Sequence, residues 1–163
     1  MRIRQARSTD ADQISKLIWG LCDPFFISPD RVGAEGFLAS ISPIAIASIL
    51  DSPSFLYLIA EQGSHVAGVI ALRSNTHLFH LFVSKSHQGQ GISRTMWQVA
   101  RTHAIANGNI GRFTVNASIN AIPIYQRFGF HSTGNPTESH GIRYQPMMLD
   151  EAVIPNIQTP IAT

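Results

Sequence analysis

One cysteine, a thin complement of charge and the lack of any long apolar run set the first limits on this chain. The lone Cys22 excludes an intramolecular disulfide, and its ordinary role is that of a small buried apolar residue, here expected on a helix. No uninterrupted apolar stretch approaches the roughly 20 residues a membrane-spanning helix needs, and Met1-Arg2-Ile3-Arg4-Gln5 has no apolar run behind it. We therefore expect no signal peptide and no membrane anchor, and a cytoplasmic protein. Charged residues make up 13% of the chain, about half the usual share, so the surface leans on Ser, Thr, Asn, Gln and His. The formal net charge is +2, and the twelve Lys and Arg residues are scattered. The basic footprint of a nucleic-acid binder is missing, while an anionic small molecule is still compatible.

A chain of 163 residues with 44% hydrophobic content suits one compact domain. We place that domain at 1–150, followed by a tail at 151–163 that is disordered or docks on a partner subunit. Arg2 to Ala6 reads as a strand, and Ser8-Thr9-Asp10 caps a helix whose apolar face is Ala11, Ile14, Leu17, Ile18 and Leu21, stopped by Pro24. A second helical region, Pro29 to Leu50, is broken by Pro43. Its Phe37, Leu38, Ile41, Ile44 and Ile49 suit a lid or packing surface. Three strands follow, Ser54 to Ala60, His65 to Arg73 and Thr76 to Val83, the last apolar on both faces and so central in a sheet. Beyond the loop Ser84 to Gly91 comes a helix from Ile92 to about Ala106, with Ile92, Met96, Val99 and His103 on one face. The chain closes with a strand at Phe113 to Asn116, a helix at Asn120 to Phe128, and strands at Phe130 to Thr133 and Gly141 to Leu149. This order predicts an α/β sandwich with a mixed sheet.

Gln88-Gly89-Gln90-Gly91-Ile92-Ser93 lies between an apolar strand and an amphipathic helix. Backbone N–H groups and the positive end of the helix dipole make such a loop a site for phosphate oxygens, and glycine lets them approach the backbone. The Gly-Lys-Ser/Thr ending of a P-loop is absent, and G-x-G-x-x-G fails because Arg94 or Thr95 stands where its last small residue belongs. The segment instead resembles the acetyl-CoA signature of the GNAT superfamily, Gln/Arg-x-x-Gly-x-Gly/Ala, preceded by Leu-Phe-Val on the central strand. Gln88, Gly91 and Ser93 occupy its defined positions, Ser93 departing from Gly/Ala but nearly as small. Val115-Asn116-Ala117-Ser118 and Ala121-Ile122-Pro123-Ile124-Tyr125-Gln126-Arg127-Phe128-Gly129-Phe130 resemble the superfamily's Asn...Ala-x-x-x-Tyr-x-x-x-Gly-Phe segment, and His140 to Met147 looks like the last strand of one bacterial branch.

The resemblance covers residues 1 to about 150. It implies a mixed, mostly antiparallel sheet flanked by helices, with acetyl-CoA as cosubstrate and no metal. It also implies that the backbone of Leu81, Phe82 and Val83 pairs with pantetheine amides, that Gln88, Gly89, Gln90, Gly91, Ile92, Ser93 and Arg94 hold the phosphates, and that Asn116 contacts the cofactor. Tyr125 is expected to protonate the leaving thiolate, the alternative being that its ring packs on the pantetheine arm. Many relatives carry a base glutamate before Leu-Phe-Val, but Thr76-His77-Leu78-Phe79-His80 holds no carboxylate. His77 and His80 are the substitutes, since imidazole titrates near neutrality. Strand alternation sends them to opposite faces unless a bulge intervenes. Glu138 and His140 are candidates for substrate contact, and Asp12, Asp23, Asp30 and Glu35 are expected to act as caps or solvated charges. The reading is an N-acetyltransferase acting on a primary amine of a small molecule or peptide, expected as a homodimer. The alternatives are an idle acetyl-CoA-binding domain and an unrelated ligand-binding fold.

Overall fold

A computed structural model describes residues 1–151, so the tail expected at 151–163 lies, but for Glu151, outside the described residues. The elements are β1 (Arg2–Gln5), α1 (Ala11–Trp19), α2 (Glu35–Ser40), α3 (Pro43–Leu50), β2 (Phe55–Gln62), β3 (His65–Arg73), β4 (His77–Val83), α4 (Ile92–Ala106), β5 (Arg112–Ala117), α5 (Ile122–Arg127), β6 (His131–Ser132), β7 (Thr137–Ser139) and β8 (Ile142–Asp150). They form the expected mixed sheet, in the order β1-β2-β3-β4-β5-β8-β6, with β7 also on β8. Every pairing is antiparallel except β4 with β5. No helix among the described residues is long and apolar enough to cross a membrane.

Strand periodicity divides the core into two layers. Phe113, Val115 and Ala117 of β5 join Leu78 of β4 and Met147 and Leu149 of β8 under α4 and α5, while Tyr57, Ile59, Val69 and Ala71 face α1 and α3. The second helical region is broken at Pro43, as expected, into α2 and α3, and Pro43 itself starts α3. It has no N–H to lose at the first turn, and Ser42 Oγ caps Ala45 N at 3.3 Å. Asp10 likewise accepts from Arg7 N at 2.7 Å and pairs with Arg4 at 2.8 Å, tying the start of α1 to β1.

Four expectations need correction. The buried stripe of α4 is Ile92, Met96, Trp97, Ala100 and Ala104, while Val99 is exposed and so is His103, because the small alanines let the helix sit close to the sheet. The first helix ends at Trp19, before Pro24, and leaves Leu21 outside it. Cys22 is fully buried as expected, but in the turn beyond that helix. The segment before Gly141, read as a loop, contains β7, whose Thr137, Glu138 and Ser139 pair with Tyr144, Arg143 and Ile142. The hairpin turns at His140 and Gly141, both with positive φ (48° and 73°).

Candidate active site

The central feature is a split in the sheet. β4 and β5 run parallel but pair only at His77 with Thr114 and Leu78 with Val115. Immediately after this junction β4 carries a bulge. Ala71 of β3 faces His80 and Leu72 faces Leu78, so Phe79 is the inserted residue. Beyond it the edge of β4 toward β5 is unpaired to Val83, and a cleft of about 600 Å³ opens between the strands.

One end of the cleft is the loop into α4. Gly89 and Gly91 have φ of 76° and 77°, and a Cβ at either would project into space with nothing within 4 Å. Together with Ile92 and Ser93 they line the cleft where the unsatisfied N–H groups of the 15-residue α4 begin. Side chains hold the loop in shape. Gln88 Nε2 donates to Val83 O at 2.9 Å, and His87 joins Ser84 Oγ at 2.7 Å and Gln62 Oε1 at 2.8 Å. Gln90 Nε2 bonds Ser86 O at 3.2 Å. Leu81, Phe82, Val83, Gln88 and Asn116 line the cleft, whereas Gln90 and Arg94 are exposed residues outside its lining. The glycine cradle and helix N-terminus thus fit the phosphates, and the open edge of β4 fits the amide arm, of the acetyl-CoA that the motifs imply.

Tyr125 lines the cleft from α5, the helix that follows β5. Its ring packs edge-on against Phe128 and Phe130, at centroid distances of 6.3 and 5.7 Å, and these in turn flank Trp97 of α4. Burial pushes its phenol well above the ordinary value, so it stays protonated at neutral pH. No hydrogen bond joins its hydroxyl to the protein among the described residues, which leaves the proton available to a molecule in the cleft.

The other arm is built by the turn after α1. The turn Asp23–Phe25, whose Asp23 was expected as a cap or solvated charge and whose Pro24 opens the region Pro24 to Leu50 expected to set acceptor specificity, lines it with Gly20 and Leu21, across from Phe79 and Phe82 of β4. Phe25 meets Phe82 at 6.4 Å and Phe37 at 5.5 Å. Among the described residues Asp23 is the sole carboxylate lining the cleft, and Arg31 bonds its Oδ1 at 2.6 Å. The Arg31 guanidinium lies 5.2 Å from the Trp19 ring centroid and 4.8 Å from that of Phe26. The signal available in the sequence was the cluster Asp23-Pro24-Phe25-Phe26 directly after a helix.

The expected base and substrate residues sit elsewhere. The bulge at Phe79 puts His77 and His80 on the same face, toward the α1 and α3 layer, rather than on opposite ones. His80 is buried among Phe79, Phe82 and Tyr57, with Nδ1 2.9 Å from the Tyr57 hydroxyl, and burial pushes it down to about 3. His77 Nδ1 bonds Thr114 Oγ1 at 2.8 Å, and burial, with Arg73 nearby, lowers its pKa. Neither histidine lines the cleft. Glu138 pairs with Arg143, and His140 borders a separate shallow depression with Gly33, Glu35 and Tyr144. That hairpin braces the segment after the Asp23 turn. Ile27 N donates to Gly141 O at 3.0 Å, and a Cβ on Gly141 would lie 2.5 Å from Val32 O. No group of three or more His, Cys, Asp or Glu arranged to hold a metal ion occurs among the described residues.

Comparison with known proteins agrees with this geometry. The family pattern described as an acetyltransferase (GNAT) domain matches residues 26–151. Over 122 residues the chain is 32% identical to N-acetyltransferase family 8 member 2 of Rattus norvegicus, covering 68% of this chain and 53% of that protein. It is 32% identical over 106 residues to N-acetyltransferase 8B of the same species, covering 57% and 43%. The chain thus spans about half the length of the curated relatives it matches. Among solved structures, a GCN5-related N-acetyltransferase of Rhodopseudomonas palustris superposes with a TM-score of 0.72 at 21% identity, covering 90% of this chain and 93% of that one. The PaiA N-acetyltransferase of Thermoplasma acidophilum, in complex with coenzyme A, gives 0.70 at 16% identity, covering 90% and 96%. At these identities the structural likeness is one of fold.

Proposed function

Because the chain belongs to the GNAT acetyltransferase family, we propose that it moves the acetyl group of acetyl-CoA to a primary amine of a small molecule or peptide, by direct attack in a ternary complex. The observation that carries this reading is one cleft holding an unpaired strand edge, a glycine-lined helix N-terminus and a phenol hydroxyl with no hydrogen bond among the described residues. Bound acetyl-CoA supplies an acetyl group activated as a thioester. The N–H and C=O groups of Leu81 to Val83 present a strand edge to an extended amide chain. N–H groups from Gly89 to Ser93 take phosphate oxygens, held in place by Gln88, and Arg94 in the first turn of α4 adds positive charge. Asn116 faces the same channel from β5.

Tyr125 then serves as the acid that delivers a proton to the departing sulfur. An amine attacks only when neutral, and β4 offers no carboxylate to deprotonate it. With His77 and His80 outside the cleft lining, the proton passes to solvent at the cleft mouth. A homodimer in the cytoplasm completes the proposal. The exposed Ile44 on α3 supports the dimer, and the unpaired thiol of Cys22 suits a reducing compartment. The test is release of free CoA thiol from acetyl-CoA across a panel of amines. Amine-dependent release is expected, and release that ignores the amine, or none with any amine, overturns the reading.

A further inference from the structure

We propose that the acceptor arm selects a small monoamine whose amino group is carried on a flat apolar body, an arylalkylamine, through the walls Phe25, Phe79 and Phe82 and the single carboxylate Asp23. This rests on the transferase reading above and names the acceptor class for that site.

The walls come from two places in the chain. The turn after α1 contributes Leu21, Pro24 and Phe25, and the bulged part of β4 contributes Phe79 and Phe82. The rings of Phe25 and Phe82 stand 6.4 Å apart at 51°, and Phe79 is held edge-on by Phe55 at 5.2 Å, so the walls are rings anchored by other rings. Such surfaces favour a flat hydrocarbon body, whose burial is the main attraction on offer. The turn Asp23–Phe25 also comes within 8 Å, Cα to Cα, of the turn Ile119–Ala121 that leads to Tyr125, so the acceptor arm ends beside the proposed acid.

Charge narrows the choice further. Among the described residues Asp23 is the only acidic one lining the cleft, and the lysine lining it, Lys85, belongs to the loop at the opposite arm. The Asp23 side chain is 74% exposed, which places it at the mouth. Its Oδ1 takes Arg31, and its Oδ2 has no hydrogen bond among the described residues, leaving one acceptor that draws an ammonium to the mouth before the amine loses its proton and moves inward to the thioester. Arg31, held between Trp19 and Phe26, keeps that carboxylate in place. A polyamine or an aminoglycoside would bring several ammonium groups to an arm with a single carboxylate, and each unpaired one would lose its water without compensation. Farther in, desolvation against the ring walls favours the neutral amine, the form that reacts. The amine nitrogen bonds to the acetyl carbonyl carbon and the carbon–sulfur bond breaks. The sulfur takes the Tyr125 proton and the nitrogen's proton goes to solvent, giving an N-acetylamine and CoA, with Tyr125 reprotonated from water.

The experiment compares 2-phenylethylamine, spermidine and kanamycin as acceptors in the CoA-release assay, with acetyl-CoA binding followed separately by thermal shift. The expected result is a kcat/KM for 2-phenylethylamine at least tenfold above the other two. Phe25→Leu and Phe79→Leu should raise its KM about tenfold while leaving the KM for acetyl-CoA unchanged. Asp23→Asn, at an exposed side chain that leaves the core intact, should raise the amine KM several-fold and remove its salt dependence. Equal or better turnover of spermidine or kanamycin overturns the assignment, as does an unchanged amine KM in Asp23→Asn and in whichever Phe variants fold. Acetyl-CoA binding with no turnover and no competitive binding of the arylalkylamine also overturns it. Absence of acetyl-CoA binding altogether overturns the transferase reading instead.

Discussion

The proposed donor arm of the cleft is made of backbone and the proposed acceptor arm of side chains. On the proposed donor side the groups available are the free edge of β4 and the N–H groups at the start of α4, exposed by Gly89 and Gly91. They lie within a single stretch of chain, and the requirement for glycine and small residues leaves a spaced pattern. On the acceptor side the groups are a carboxylate and three phenyl rings from residues 23–25 and 79–82, brought together only by the sheet and by α1. Recognition by backbone writes a motif into a sequence; recognition by assembled side chains does not.

Variants can test this division of labour. The largest effect belongs to Tyr125, the proposed acid. Tyr125→Phe should lower kcat by about 10²-fold with little change in the binding of either substrate, and an unaltered kcat when chemistry limits the rate would make it a packing residue. Next is Gly141→Ala. Its Cβ would collide with the backbone at Val32 to Ala34, so stability should drop by about 2 kcal/mol or more, and the amine KM should rise while acetyl-CoA affinity is spared. A change confined to acetyl-CoA affinity would mean that the hairpin does not brace the acceptor wall.

Gly91→Glu should do the reverse. A side chain at a positive φ, pointing a negative charge into the cradle, should weaken acetyl-CoA more than tenfold in a protein that still folds. Near-normal affinity would remove the loop from the site. The smallest effect separates the core from both arms. Buried His80 is held neutral down to about 3 whereas the unfolded chain protonates near 6.5. As pH falls below about 6.5 the unfolded state takes up a proton that the folded state refuses, so stability declines, by at most about 1.4 kcal/mol per pH unit. His80→Gln should flatten the dependence of Tm on pH between 6.5 and 4.5. If the slope is unchanged, His80 does not carry it.

The parts legible in the sequence were those set by local periodicity or by backbone requirements. The β2-β3-β4 meander, the glycine loop before α4 and the placement of Tyr125 on a short helix all follow from residues within a few positions of one another. The face of α4 was misjudged because Ala100 and Ala104 carry little apolar signal, yet their smallness is what brings the helix onto the sheet. β7 was hidden because Thr137-Glu138-Ser139 has no apolar alternation, and its pairing is set by the turn at His140 and Gly141. The bulge at Phe79 is invisible locally, since nothing in Leu78-Phe79-His80-Leu81 marks an extra residue. It therefore changed the expected facing of His77 and His80.

The two-pair junction between β4 and β5 has a mechanical consequence. The sheet is two half-sheets, β1 to β4 and β5 with β8, β6 and β7, joined by a seam at His77–Thr114 and Leu78–Val115. A strap crosses that seam: Met96, Trp97 and Ala100 of α4 pack in one cluster with Ile70 and Leu72 on one side and Phe113 and Met147 on the other. The angle between the half-sheets is therefore set by interdigitated hydrocarbon rather than by a ladder of directional bonds. A small shear of side chains along α4 would change the width of the cleft while every strand kept its own register.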